Sequence, residues 1–292
     1  MKSIKYYSII LICPAFLLLA FKIQPSACPK PGQTLQDYFK WRAGRKMPLI
    51  MAHRMSPETG YPDNGLKTLK FTHQLAPCVI QEMDVRMTKD SALVMLHDAT
   101  LDRTTTGKDS LNKFTLKEIA QYQLKDINGT LIKGERIPKL MDVLHFVKKN
   151  KIIVALDMKP GTDPKKLMRE VVSSRTLNQV IIICYTIKDA QLLNKKYPTL
   201  MMALGFNSWE NIKAIEQSGL PFQNLIALTP SQLQEKSFYD KIHSMGIMVS
   251  FGAQGGVDVY PNNTRKAYQN VFARGGDIIC TDSLSNVFKA FR

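Results

Sequence analysis

The sequence predicts an α/β chain built as a single (β/α)8 TIM-type barrel, and three observations carry that expectation. Short apolar runs alternate with amphipathic stretches of ten or more residues from residue 48 onward, the pattern of crossover units in a parallel sheet. The length, 292 residues, suits one barrel. No shift in composition divides the chain.

The elements follow in order. Residues 1–27 read as an export signal: Lys2 and Lys5 form a positive start, Tyr6 to Phe21 is apolar apart from Ser8, and Ser26-Ala27 supplies small residues at the end. An uncleaved membrane anchor is the alternative, although Pro14 interrupts the run and a spanning helix needs roughly 20 residues. Cys28, directly after Ala27, suits a lipid-modified N-terminus, whereas Pro25 stands where such a signal prefers Leu. The expected address is therefore periplasmic or secreted, with a lipid anchor at Cys28 as one variant. Cys78, Cys184 and Cys280 lie in or beside apolar runs with no C-x-x-C spacing, and core packing is expected for all three.

After a polar lead over 29–46, residues 28–292 read as the barrel domain. Strands are expected at 48–53, 79–87, 92–97, 152–157, 180–184, 200–206, 225–228, 247–251 and 277–281. Helices are expected at 65–75, 138–149, 164–174, 187–197, 209–218 and 232–245. That is one strand too many for eight. The link Thr88-Lys89-Asp90-Ser91 is too short for a parallel crossover, so the third strand returns as a β-hairpin after the second. A turn centred near Asp90 places Glu82 and Asp84 opposite His97 to within about a residue.

Active sites of parallel barrels lie at the C-terminal ends of the strands. There the chain carries His53-Arg54, Glu82-x-Asp84, His97-Asp98 and Asp157-x-Lys159. Charges at the ends of apolar strands are costly to bury unless they pair or bind something. Glu82, Asp84 and Asp157 supply hard oxygen ligands suited to Mg²⁺ or Ca²⁺, and the Glu-x-Asp spacing puts two of them on one face of a strand. His53 and His97 suit an acid–base pair. Arg54 and Lys159 suit a phosphate anion.

The formal net charge is +16, and the first 27 residues hold three lysines and no acid, which leaves a net charge of +13 on the rest. A basic surface serves solubility, an anionic small substrate or an anionic membrane. With no long Lys/Arg run and no interleaved aromatics, nucleic acid is excluded as a partner. His73, His145 and His243 fall in helical patterns with no partner motif and read as surface or core residues. The sequons at Asn128 and Asn262 carry no functional meaning in a chain with a bacterial-type signal.

The ordered set resembles the glycerophosphodiester phosphodiesterase family. The run from His53-Arg54 to Pro62-Asp63-Asn64 looks like its opening motif. The stretches Glu82-Met83-Asp84-Val85, Leu96-His97-Asp98 and Leu101-Asp102-Arg103-Thr104-Thr105-Thr106-Gly107 are similar to its central one. Gly134-Glu135-Arg136-Ile137-Pro138 and Thr281-Asp282 extend the likeness, which runs over about 47–288.

The resemblance implies a (β/α)8 barrel, a divalent cation on Glu82, Asp84 and Asp157, His53 and His97 as the acid–base pair, and Arg54 and Lys159 near the phosphate. Asp98 is placed as a supporting carboxylate. Asp63 reads either as another or, with Asn64, as a helix cap. The implied reaction turns a small-molecule phosphodiester into an alcohol and glycerol phosphate. The alternatives are a related enzyme acting on intact lipid or a polyol-phosphate polymer, and an exported binding protein without turnover. Four departures stand out: Met55 where the family has Gly, Asp63 where it has Glu, Asp157 where it has Glu, and Ser250 to Gln254 where it has a Trp-containing strand end.

Overall fold

A computed structural model describes residues 28–254, 256–259 and 264–292; the expected signal at 1–27 and the Asn262 sequon lie outside them. The strands are β1 (Leu49–Ala52), β2 (Ile80–Met87), β3 (Leu93–Met95), β4 (Gln123–Lys125), β5 (Leu131–Arg136), β6 (Val154–Met158), β7 (Val180–Cys184), β8 (Met201–Gly205), β9 (Leu225–Thr229), β10 (Met248–Gly252) and β11 (Ile278–Thr281). Eight of them, β1, β2 and β6 to β11, pair in parallel, and the β1–β2 and β1–β11 pairings close the ring. The expected barrel is therefore present.

The ring holds because each strand buries two faces. The inward face is apolar at the start of every strand: Leu49 and Met51, Ile80, Ile153 and Ala155, Ile181, Met201 and Ala203, Ile226, Met248, Ile278 and Cys280 fill the centre. The outward face packs under the helices in a larger cluster that includes Met83, Val85, Leu156, Ile182, Met202 and Val249. The polar lead hides a helix, α1 (Leu35–Phe39). Its Leu35, Tyr38 and Phe39 join the central cluster and plug the N-terminal end of the barrel. The sequence reading passed over these five residues because the stretch is too short to show a period.

The remaining helices are α2 (Leu66–Leu75), α3 (Leu116–Ile119), α4 (Leu140–Asn150), α5 (Pro164–Ser173), α6 (Ile187–Lys196), α7 (Trp209–Glu216), α8 (Lys236–Ser244), α9 (Thr264–Arg274) and α10 (Leu284–Ala290). Every helix expected from periodicity is there, within a few residues at each end. The hairpin is also there. Val85, Arg86 and Met87 pair antiparallel with Met95, Val94 and Leu93, and Leu96 N–H donates to the Asp84 carbonyl at 3.1 Å. Beyond it, β4 and β5 form a two-stranded sheet, and Leu96, Leu101, Leu111, Ile119, Leu124 and Ile137 build a small core of their own.

One expectation about cysteine is corrected. Cys78 is not a packed thiol: it forms a disulfide with Cys28, with Cα atoms 5.0 Å apart. The bridge ties the residue after the expected signal to the approach of β2. Spacing alone could not reveal a pair fifty residues apart. Cys184 and Cys280 are buried free thiols, as expected.

Candidate active site

Strand register assembles the site. On four of the eight strands the inward face changes from apolar to charged toward the C-terminal end: Met51 on β1 to His53 just past it, Ile80 to Glu82 and Asp84 on β2, Ala155 to Asp157 on β6, and Cys280 on β11 to Asp282 just past it. Ala52 lies beside Gln81 on one side and Thr281 on the other. One further step therefore sets His53 between Glu82 and Asp282. Asp84 lies beside Asp157. Inward residues recur every second position, so the charged side chains share one mouth of the barrel.

The ligand oxygens of Glu82, Asp84 and Asp157 all lie within 4.8 Å of one another. Glu82 and Asp84 are buried. Glu82 Oε2 accepts from the Arg54 backbone N–H at 2.8 Å. Asn64 clasps Asp84 twice: its Nδ2 donates to Oδ2 at 2.7 Å, and its Oδ1 accepts from the Asp84 N–H at 2.8 Å. Burial and the Asp84 carboxylate push Glu82 up to about 8. Burial also opposes ionisation of Asp84, but the Lys159 ammonium and its hydrogen bond hold it below the ordinary range. Lys159 Nζ sits 2.8 Å from Asp84 Oδ1 and 2.5 Å from Asp157 Oδ2. The Tyr185 hydroxyl donates to Asp157 Oδ1 at 2.7 Å. The all-oxygen donor set of three clustered carboxylates fits a hard divalent cation.

Each histidine is held by a carboxylate. Asp282 Oδ1 lies 2.7 Å from His53 Nδ1, and Asp98 Oδ1 lies 2.6 Å from His97 Nδ1. A carboxylate accepts only, so Nδ1 carries the hydrogen and Nε2 is left for proton transfer. Burial lowers the His53 pKa, but the Asp282 hydrogen bond and the Glu82 and Asp282 charges outweigh it, and the net shift is upward. Arg103 holds Asp98 with Nε at 2.6 Å and Nη2 at 2.8 Å, which drives the Asp98 carboxyl well below the usual range. Arg103 Nη2 also reaches Asp63 at 3.1 Å.

All nine expected residues are accounted for. His53, Arg54, Glu82, Asp84, His97, Asp157 and Lys159 converge on one mouth. Asp98 backs His97. Asp63 ion-pairs with Arg103 and, at 3.5 Å, with Arg54. The helix-cap reading of Asp63 and Asn64 fails, because Gly65 is the N-cap of α2 and no side chain caps it. Three participants had been overlooked. Asp282 was noted only as motif, Tyr185 falls just past the expected strand 180–184 and was given no role, and Asp258 follows a strand end without family likeness. Asp258 accepts from Thr281 Oγ1 at 2.7 Å, from the Asp282 N–H at 2.8 Å and from the Tyr268 hydroxyl. Alternation along β11 would have flagged Asp282. No local signal marks Asp258.

Of the other histidines, His145 is exposed and His73 half-buried. His243 is buried against Asp277 at 2.8 Å and stacks on Trp41, at the opposite end of the barrel from the site.

Comparison with known proteins places the chain in a family. The model of the glycerophosphoryl diester phosphodiesterase family matches residues 79–253. A curated glycerophosphodiester phosphodiesterase of Caldanaerobacter subterraneus is 32% identical over 53% of the chain, and that match spans 65% of the relative. A putative glycerophosphodiester phosphodiesterase of Bacillus subtilis is 27% identical over 80% of the chain and 93% of its own length. Among solved structures, a glycerophosphoryl diester phosphodiesterase from Parabacteroides distasonis superposes with a TM-score of 0.81 at 26% identity, covering 88% of this chain and 90% of that one. With more than half its length matched by the family model, the chain belongs to the glycerophosphoryl diester phosphodiesterase family.

Proposed function

We propose that the protein hydrolyses glycerophosphodiesters to an alcohol and glycerol 3-phosphate. The observation that carries this is the pair of carboxylate-held histidines, His53–Asp282 and His97–Asp98, at the same mouth as the Glu82–Asp84–Asp157 triad. The triad would hold Mg²⁺ or Ca²⁺, which when bound neutralises charge on the phosphate oxygens. Arg54 and Lys159 supply cations beside it, and Arg54 offers the fork that suits a phosphate.

The proton transfers run in two halves. His53 Nε2 takes the proton of the neighbouring glycerol hydroxyl as that oxygen attacks phosphorus. The bond to the leaving alcohol breaks, and its oxygen takes a proton from His97. A cyclic glycerol phosphate remains. Water then opens it: His97 accepts the water proton, His53 returns its proton to the ring oxygen that leaves, and both histidines regain their starting states.

The test is a diester panel (glycerophosphocholine, glycerophosphoethanolamine, intact phospholipid and a polyol-phosphate polymer) with and without chelator. Turnover of the glycerophosphodiesters, lost on chelation, supports the reading. Turnover of intact lipid or polymer alone would move the substrate class, and metal binding without turnover of any diester would favour a binding protein.

We further propose that the protein is exported, with loss of residues 1–27. The Cys28–Cys78 disulfide supports an oxidising compartment. It also occupies the sulfur that a lipid anchor would need, so the unacylated periplasmic or secreted form is favoured over membrane association. Among the described residues no helix is long and apolar enough to cross a membrane.

A further inference from the structure

Beside the catalytic centre, on the His97 side, lies a cleft of about 320 Å³. Its wall includes Arg86, Lys89, Ala99, Ser110, Asn112 and Gly161, and no acidic side chain lines it. Three of these positions place it next to the chemistry: Arg86 is two residues beyond Asp84 on β2, Ala99 follows Asp98, and Gly161 is two residues past Lys159.

Arg86 is the unusual member. Its Nε donates to the His97 carbonyl at 2.8 Å, which fixes the guanidinium against the hairpin. Within the described chain its two terminal nitrogens make no hydrogen bond and no ion pair. The carboxylates nearest to it are already engaged: Asp84 and Asp157 by Lys159, Asp98 by Arg103. A half-buried cation that is anchored but unpaired is expensive unless a ligand supplies its partner. The fork left open suits an oxyanion.

The reaction geometry says which part of a substrate would arrive there. The argument rests on the functional reading above, in which His97 protonates the leaving oxygen. In that reading the leaving oxygen lies at His97 Nε2, and the cleft wall reaches His97 from two sides: Ala99 is two residues along the chain, and Arg86 Nε holds the His97 carbonyl. The volume is at the lower end of the range for small-molecule sites, enough for a small polyol or amino-alcohol carrying one charged group.

We propose that this cleft seats the leaving alcohol and selects alcohols that bear a second anionic group, a phosphate monoester or a carboxylate, through Arg86 with Lys89 at the rim.

A matched pair of substrates tests it: glycerophosphoinositol, and the same diester with a phosphate monoester on the inositol ring. The purified mature protein with added Mg²⁺ or Ca²⁺ should show kcat/KM higher for the phosphorylated diester by on the order of 10-fold or more, as one charge-assisted hydrogen bond to a fork implies. Arg86→Gln should bring that ratio close to one. Lys89→Gln, a change on an exposed side chain, should lower it part of the way, and it serves if the Arg86 variant does not fold. Because the readout is the ratio, a general loss of activity in either variant does not imitate the result. Equal efficiency on both diesters in the wild type, or a preference that survives both substitutions, overturns the cleft assignment and leaves the diesterase reading standing. No turnover of either diester with either metal overturns both.

Discussion

Asp282 holds His53 Nδ1 at 2.7 Å, and the backbone that carries Asp282 is itself held by Asp258, which accepts from the Asp282 N–H at 2.8 Å. The base of the proposed mechanism is therefore set from β11 and the loop after β10, not from its own strand. Such a chain fixes both the tautomer and the ring orientation of an imidazole.

Asp282→Asn should lower kcat by about 10²-fold with little loss of thermal stability, because the amide can present a donor where only an acceptor serves. The pH profile should move as well. Asp282 raises the His53 pKa, and His53 must be neutral to act as base, so activity rises as pH passes through that pKa. Removing the carboxylate lowers the pKa and should shift the acidic limb to lower pH. Asp258→Asn should show the same shift to a smaller extent. An unchanged limb in both variants contradicts the assignment.

The metal prediction rests on the triad. Excess chelator should abolish diester turnover, and Mg²⁺ or Ca²⁺ should restore it. Asp157→Ala should be inactive, whereas Asp157→Glu, with the side chain usual in the family, should keep substantial activity. Isothermal titration of either ion should lose its binding heat in Asp157→Ala. Undiminished turnover in chelator would remove the metal from the mechanism.

The two histidines can be told apart by leaving group. His53→Ala and His97→Ala should each lower kcat by at least about 10²-fold on glycerophosphodiesters. A nitrophenol leaving group scarcely needs a proton, so the loss in His97→Ala should shrink sharply on that substrate while the loss in His53→Ala persists. Rescue of His53→Ala instead would exchange the two roles.

The disulfide gives a prediction about maturation. Mass spectrometry of the exported protein should find an N-terminus near Cys28 with no acyl chain, and Cys28 and Cys78 should resist alkylation until reduced. Cys78→Ser should cost about 2–4 kcal/mol of stability, as expected for a bridge that closes a loop of roughly fifty residues. An acylated Cys28 would reverse the anchor assignment.

Much of this was legible in the sequence because it repeats. Strand and helix periods are local, and the hairpin followed from a link too short to cross over. The charged strand ends marked the site before any likeness was drawn. Met55 shows how far such reasoning reaches: the family resemblance marked it as standing in place of Gly, and the structure gives it a φ of 68°, with Arg54 and Ser56 also left-handed. Left-handed backbone costs roughly 1–2 kcal/mol per residue away from Gly. The Met55 side chain is fully buried in the outer core, and that burial offsets the strain. What stayed hidden was non-local. The Cys28–Cys78 bridge, the Asp258 support and the Arg103 link between Asp98 and Asp63 join segments with no shared period, and only the closed barrel brings them together.

The hairpin carries a consequence for how such an enzyme changes over generations. Among the named strands β3 pairs with the far end of β2, beyond the reach of β1, and outside them with Lys139, so the eight-strand closure does not depend on the segment that follows it. That segment has a hydrophobic centre of its own and returns to the barrel at Pro138, whose carbonyl accepts from the Met95 N–H. Apart from Arg103, which anchors Asp98, it behaves as a cassette: mutations between Leu111 and Ile137 can resculpt one bank of the mouth while the strands that carry Glu82, Asp84 and Asp157 keep their register. Substrate range and catalytic chemistry are thereby free to drift at different rates.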